Sequence, residues 1–178
     1  MKTYSAERLF QVMNGLGEGP LWHPIEQQLY WTDILTGTLY RADLSLEKYE
    51  KSFFDLQIGA FAFRKDGGLL LATNRGFFNL DTFNGDLDLL WMPPLKYKGE
   101  RLNDGKVDPS GRFWAGTMDP QKRRGALFRL DPDGTKHTML TEIGISNGLD
   151  WSPDRTTMYY TDSYHYTCLL YTSPSPRD

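Results

Sequence analysis

Arg101, Asn103 and Asp104 set a guanidinium, an amide and a carboxylate within four residues, directly ahead of a strand-like run. Arg101 and Asn103 are two apart, so in extended backbone both side chains point to one side. A planar fork of donors beside a group that both donates and accepts suits a hydroxyl-rich or carboxylate-bearing small molecule. A solvated loop pair is the plain alternative. Asp104 either braces these groups or satisfies a turn backbone. Glu18 lies in Gly17-Glu18-Gly19-Pro20, where flanking glycines let the chain bend sharply and present one carboxylate. Spacing alone favours an exposed turn glutamate there. Asn147 lies in Ser146-Asn147-Gly148, and Asn-Gly is a favoured turn pair in its own right.

Strands and turns must position these groups. Three segments read apolar-aromatic-polar-apolar-Asp: Leu39 to Asp43, Phe77 to Asp81 (Phe-Phe-Asn-Leu-Asp) and Leu127 to Asp131. Each follows a glycine, at Gly37, Gly76 and Gly125. A second series of strand-like runs ends in Thr or Asp: Leu29 to Asp33, Leu69 to Thr73, Phe113 to Thr117 and Met158 to Asp162. Equivalent positions recur at roughly 40–50 residues, the spacing of propeller blades. Turn chemistry punctuates the runs at Lys65-Asp66-Gly67-Gly68, Asp108-Pro109-Ser110-Gly111 and Asp131-Pro132-Asp133-Gly134. No segment sustains a helical period with caps, so the expectation is an all-β chain of about four units, the last one cut short. Asp33 and Asp162 recur at equivalent positions, which points to a structural role. Trp31, Trp114 and Tyr160 read as packing between blades. His23, His137 and His165 share no metal-binding spacing.

Three separated runs resemble the gluconolactonase/regucalcin (senescence marker protein) family, in that family's order. They are Leu16 to Pro20, Arg101 to Met118, and Ile145 to Ser152. The resemblance implies a six-bladed β-propeller of the lactonase type, here incomplete. It implies hydrolysis of a sugar lactone with a divalent metal ion (Ca, Zn, Mn or Mg) in the central channel. It makes Glu18 and Asn147 metal ligands, and Arg101 and Asn103 substrate-binding residues. The family's third ligand, an aspartate in a later Pro-Asp-Gly, also serves as base or acid. Pro132-Asp133-Gly134 precedes Asn147, so that aspartate is expected beyond Thr167. The family often carries a substrate-contacting glutamate shortly after Gly-Thr-Met. Here Asp119 or Gln121 takes its place, or the contact is lost. The alternatives are a propeller that binds metal or a partner without catalysis, and a related propeller hydrolase of other specificity.

The chain has 178 residues, 39% hydrophobic and 14% aromatic, enough for one domain with a sizeable core. Its net charge is −3, and the basic run Lys122-Arg123-Arg124 reads as a solvated loop, which argues against nucleic acid as a partner. No apolar stretch approaches the length of a transmembrane helix, and no apolar signal core follows the N-terminal Lys2, so neither a membrane nor secretion is expected and a cytoplasmic location is the default. Cys168 is the single cysteine. It opens a tail, residues 168–178, that breaks the preceding pattern and resembles the in-frame translation of a transposon-type sequencing adapter. The expected organisation is therefore a partial propeller over residues 1–167, followed by a non-native tail.

Overall fold

A computed structural model describes residues 3–43, 45, 48–95, 97–119 and 124–172. Its elements are all strands, in four antiparallel meanders. The first holds β1 (Gly17–His23), β2 (Gln28–Asp33), β3 (Thr38–Asp43) and β4 (Lys48–Phe53). The second holds β5 (Ile58–Phe63), β6 (Leu69–Thr73), β7 (Gly76–Leu80) and β8 (Leu87–Trp91). The third holds β9 (Arg101–Val107), β10 (Phe113–Met118), β11 (Gly125–Leu130) and β12 (Lys136–Ile143). The fourth holds β13 (Ser146–Trp151), β14 (Thr157–Asp162) and β15 (Thr167–Thr172). In each sheet the strands pair in chain order, the arrangement of a propeller blade. The first strands of successive sheets are neighbours: β1 by β5, β5 by β9, β9 by β13. They form the inner edge of an incomplete propeller of four blades.

The turns follow from local chemistry. Between β9 and β10 the buried Asp108 carboxylate accepts the N–H groups of Ser110 (2.9 Å) and Arg112 (3.0 Å). It also accepts Arg112 Nε (2.5 Å) and Trp114 Nε1 (2.8 Å). One aspartate thus closes the turn and fixes the aromatic side chain that follows it.

The core lies between blades. Tyr30, Leu39, Ile58, Phe61 and Leu71 fill the first interface. Ala60, Ala72, Phe77, Leu102, Phe113 and Phe128 fill the second. Trp114, Leu127, Leu149, Met158 and Tyr160 fill the third. Successive residues of one strand serve opposite interfaces, as with Leu71 and Ala72 or Phe113 and Trp114. A strand buried on both faces needs an unbroken apolar run, which is why alternation is weak in Leu69 to Thr73. Trp31 behaves otherwise. It lies on the face of blade 1 turned away from blade 2 and stacks on Tyr40 (4.9 Å between centroids) and on Phe10 (6.3 Å).

The recurring aspartates bind the backbone just ahead of their own blades. Asp33 accepts the N–H groups of Gly15 (3.0 Å) and Leu16 (2.9 Å). Asp162 does the same for Gly144 (2.8 Å) and Ile145 (3.0 Å). Both carboxylates therefore satisfy the backbone that leads into the first strand of their own blade.

Residues 168–172, which the sequence sets apart, continue the fourth sheet within β15. Their ladder with β14 runs from Thr161↔Cys168 to Thr157↔Thr172. Cys168, Leu169 and Leu170 are all exposed, whereas Leu39 and Tyr40 of the third strand in blade 1 are buried. Backbone pairing with β14 is open to any strand-compatible run. Residues 173–178 lie outside the described residues.

Candidate active site

All four inner strands break register near their N-terminal ends. In β1 the break falls between Glu18 and Leu21. In β5 it falls between Ile58 and Ala60. In β9, Leu102 pairs with Thr117 and Gly105 with Ala115, so Asn103 and Asp104 together face Gly116. In β13, Ser146 pairs with Asp162 and Leu149 with Tyr160, so Asn147 and Gly148 together face Thr161. A β-bulge of this kind bends the strand and redirects side chains away from the pleat. Glu18 stands directly before its bulge, and Asn103, Asp104 and Asn147 stand within theirs. The same end of the inner edge thus gathers every candidate residue named from the sequence in these strands.

Arg101 is 5% exposed. Its Nη1 donates to the carbonyl oxygen of Leu102 (3.1 Å) and to Asn103 Oδ1 (2.6 Å), and its Nη2 reaches Met118 Sδ (3.4 Å). Burial lowers the guanidinium pKa, and the nearby Glu18 carboxylate works against that shift. Glu18 and Arg101 are therefore electrostatic neighbours across two blades. Asn103 does more than the same-side argument foresaw. While Oδ1 accepts from Arg101, Nδ2 donates to the carbonyl oxygen of Ser146 at 2.6 Å. Asp104 accepts the N–H of Gly105 at Oδ1 (2.8 Å) and the N–H of Gly148 at Oδ2 (2.6 Å). Further along the same strands Lys106 Nζ meets Asp150 Oδ2 at 2.8 Å. Side chains of β9 at 103, 104 and 106 thus bridge to β13 in succession.

Glu18 and Asn147 are both exposed, and neither side chain hydrogen-bonds to a described residue. Two free oxygen donors suit a hard divalent cation in kind. Calcium takes about 6–8 oxygens, so they make up part of a ligand set. Among the described residues no group of three or more His, Cys, Asp or Glu is placed to hold a metal. Asp133 lies in the turn between β11 and β12, at the opposite end of blade 3, where Oδ1 accepts the N–H of Thr135 (2.8 Å). Asp119 is buried at the end of β10, and its carboxylate faces Arg124 Nε at 3.8 Å. Gln121 lies outside the described residues. The three histidines serve local packing and pairing: His23 sits edge-on to Phe63, His137 faces Asp131, and His165 faces Asp162.

Sequence reasoning missed two contributors. Met118 is opposite Arg101 in the β9–β10 ladder, and its sulfur caps the guanidinium. Gly59 occupies the β5 bulge, where an added Cβ would collide with the carbonyl oxygens of Leu102 and Asn103, 2.5 Å from the latter. The glycine is what lets β5 lie against β9 beneath Arg101 and Asn103. Only the β9–β10 ladder reveals the first contact, and only the packing of blade 2 against blade 3 reveals the second.

A family model described as SMP-30/Gluconolactonase/LRE-like region matches residues 16–174. The chain is 38% identical over 165 residues to a 6-deoxy-6-sulfogluconolactonase of Pseudomonas putida, covering 92% of this chain and 56% of that protein. It is 37% identical to a pentonolactonase of Haloferax volcanii, covering 88% of this chain and 53% of that protein. Its fold superposes on the crystal structure of a calcium-binding protein, regucalcin, from Agrobacterium tumefaciens with a TM-score of 0.86. That match has 29% identity and covers 93% of this chain and 56% of that one. The chain spans about half the length of the curated relatives it matches.

Proposed function

Because this chain belongs to the SMP-30/gluconolactonase/LRE-like family, we propose that the intact protein hydrolyses a sugar lactone with the aid of a divalent metal ion. The observation that carries the reading is the gathering of Glu18, Arg101, Asn103 and Asn147 at one end of the inner strands by their bulges. Two relatives bear lactonase names, and the Agrobacterium structure is described as a calcium-binding protein, which supports both halves of the proposal.

Each residue has a task within this reading. Glu18 and Asn147 hold the ion with their free oxygens, and an aspartate beyond Thr167 completes the set. When bound, the ion supplies Lewis-acid polarisation of the lactone carbonyl. Arg101 holds the sugar. Three of its N–H groups are engaged within the protein, which leaves the Nε–H and one Nη2–H for substrate oxygens. Its burial keeps those donors poorly hydrated and fixed in direction, which strengthens their grip. Asn103 locks the guanidinium plane through its Oδ1. Holding the ester at attack distance in this way is the positioning term in catalysis.

The 178 residues alone are expected to be inactive, because Glu18 and Asn147 supply only part of a ligand set and the aspartate expected as third ligand and base is not among the described residues. The test expresses this chain beside an extended protein and assays both on glucono-, xylono- and arabinolactones with Ca²⁺, Mn²⁺ and Zn²⁺. Metal-dependent turnover by the extended protein only is the expected result. An extended protein that binds a divalent ion yet turns over no lactone would replace the hydrolase reading with that of a metal-binding propeller.

A further inference from the structure

Asn147 depends on its backbone for direction. Its side chain is exposed and hydrogen-bonds to no described residue, so packing does not aim it. The backbone on either side of it, however, is held from the neighbouring blade. The Ser146 carbonyl oxygen accepts from Asn103 Nδ2 at 2.6 Å, and the Gly148 N–H donates to Asp104 Oδ2 at 2.6 Å. Asn103 and Asp104 are consecutive and occupy the bulge of β9; Asn147 and Gly148 occupy the bulge of β13. One bulge thus grips the other. Gly148 adopts φ +74°, a left-handed conformation in which its N–H leaves the ladder with β14. An N–H turned out of a ladder needs another acceptor, and a carboxylate is the strongest one a side chain offers.

We infer that Asp104 is a positioning residue: its carboxylate bridges the N–H groups of Gly105 and Gly148 and thereby fixes the bulge that aims the Asn147 amide. The inference rests on the reading of Asn147 as a ligand for its functional meaning, but not for its structural test. It gives Asp104 a task that Arg101 does not have and that Asn103 complements from the other side of Asn147. It also explains why the residue is acidic. An alanine would leave the Gly148 N–H without its acceptor. An asparagine could accept one N–H through its oxygen but would lose the charge and the second acceptor.

The test uses the 178-residue chain and backbone-amide hydrogen exchange. In Asp104→Ala the Gly148 amide is expected to exchange roughly tenfold faster, while Leu149 and Trp151 in the same strand change little, because the loss is local to one hydrogen bond. Asp104→Asn should give an intermediate acceleration at Gly148, which keeps the question open to measurement if the alanine variant does not fold. An unchanged Gly148 rate, or equal acceleration throughout β13 and β14, would overturn the inference. In the extended protein, calorimetry with Ca²⁺ should show Asp104→Ala weakening the ion on the order of 10–100-fold, as loss of a group supporting a ligand does. The same substitution added to Asn147→Ala should cost nothing further. Additive losses in that pair would also overturn the assignment. The expected exchange pattern in Asp104→Ala, together with no lactone turnover by the wild-type extended protein, would sink the hydrolase reading alone.

Discussion

Arg101 Nη1 donates to Asn103 Oδ1 across 2.6 Å, so the two side chains are held together as one hydrogen-bonded unit. The bond is possible because β9 bulges between Leu102 and Gly105, which turns the amide back toward the preceding guanidinium. In the extended protein, Arg101→Ala should lower kcat/KM for lactones on the order of 100-fold, the scale of a misplaced substrate, with little change in divalent-ion affinity. Asn103→Ala added to Arg101→Ala should cost less than it does alone, since its partner is already gone. Equal loss of ion binding by calorimetry would show that Arg101 supports the metal site and not the substrate.

Glu18 and Asn147 carry oxygens that the described residues leave unbonded. Removing a charge or an oxygen from either should disturb ligand binding more than folding. Glu18→Gln and Asn147→Ala are each expected to reduce metal-dependent turnover by more than about 100-fold, beyond the cost of losing an outer-shell partner. Their thermal midpoints without metal should stay close to wild type, as expected for exposed side chains. Near-normal turnover in either variant would remove that residue from the site.

Gly59 tests the role of the inner-edge packing. A methyl group there meets the carbonyl oxygens of Leu102 and Asn103, and neither is the end of a flexible side chain. Gly59→Ala is therefore expected to destabilise the chain by about 1–3 kcal/mol, the range for overpacking, as read by urea denaturation. The β9 bulge should shift with it, so exchange at the Gly105 amide should also quicken. A variant as stable as wild type would mean that β5 and β9 can separate without cost.

Asp33 and Asp162 predict acid sensitivity. Burial raises both carboxyl pKa values, but hydrogen bonds outweigh it. At Asp33 they come from the N–H groups of Gly15 and Leu16 and the Thr36 hydroxyl. At Asp162 they come from the N–H groups of Gly144 and Ile145 and from His165. The folded-state values therefore lie below the unfolded value of about 3.9. The stability they contribute is present above that value and is lost as pH falls through the folded values. Asp33→Asn and Asp162→Asn should each be less stable than wild type at pH 7. The difference should shrink as the pH drops below about 4, measured by denaturant midpoints across pH. A constant difference down to pH 2 would mean that these carboxylates do not act through their charge.

Much of this molecule is written in short stretches of sequence. Asp108-Pro109-Ser110-Gly111 carries its own turn, because the residues that bond one another are neighbours in the chain. The recurring apolar runs mark strands, and those of the two middle blades are buried on both faces. Their spacing gives four blades before any contact is known. The recurrence of Asp33 and Asp162 at equivalent positions marks them as structural, since both cap the backbone entering their own blade. The candidate residues themselves were also nameable, from their types and from motifs that resemble a family. What the sequence does not contain is register. A bulge is a mismatch between two strands, so no single strand encodes it. The mismatches in β9 and β13 decide that Asn103 turns to Arg101 and that Asp104 reaches Gly148, 44 residues away. Gly59 shows its purpose only once β9 lies against it. Trp31 looks like Trp114 in sequence, yet it faces away from blade 2, because the side of a sheet is fixed by which neighbour packs there. Local chemistry sets strands and turns over a few residues. The aim of a side chain into a shared site is set by sheets packing across tens of residues, and that only the tertiary structure supplies.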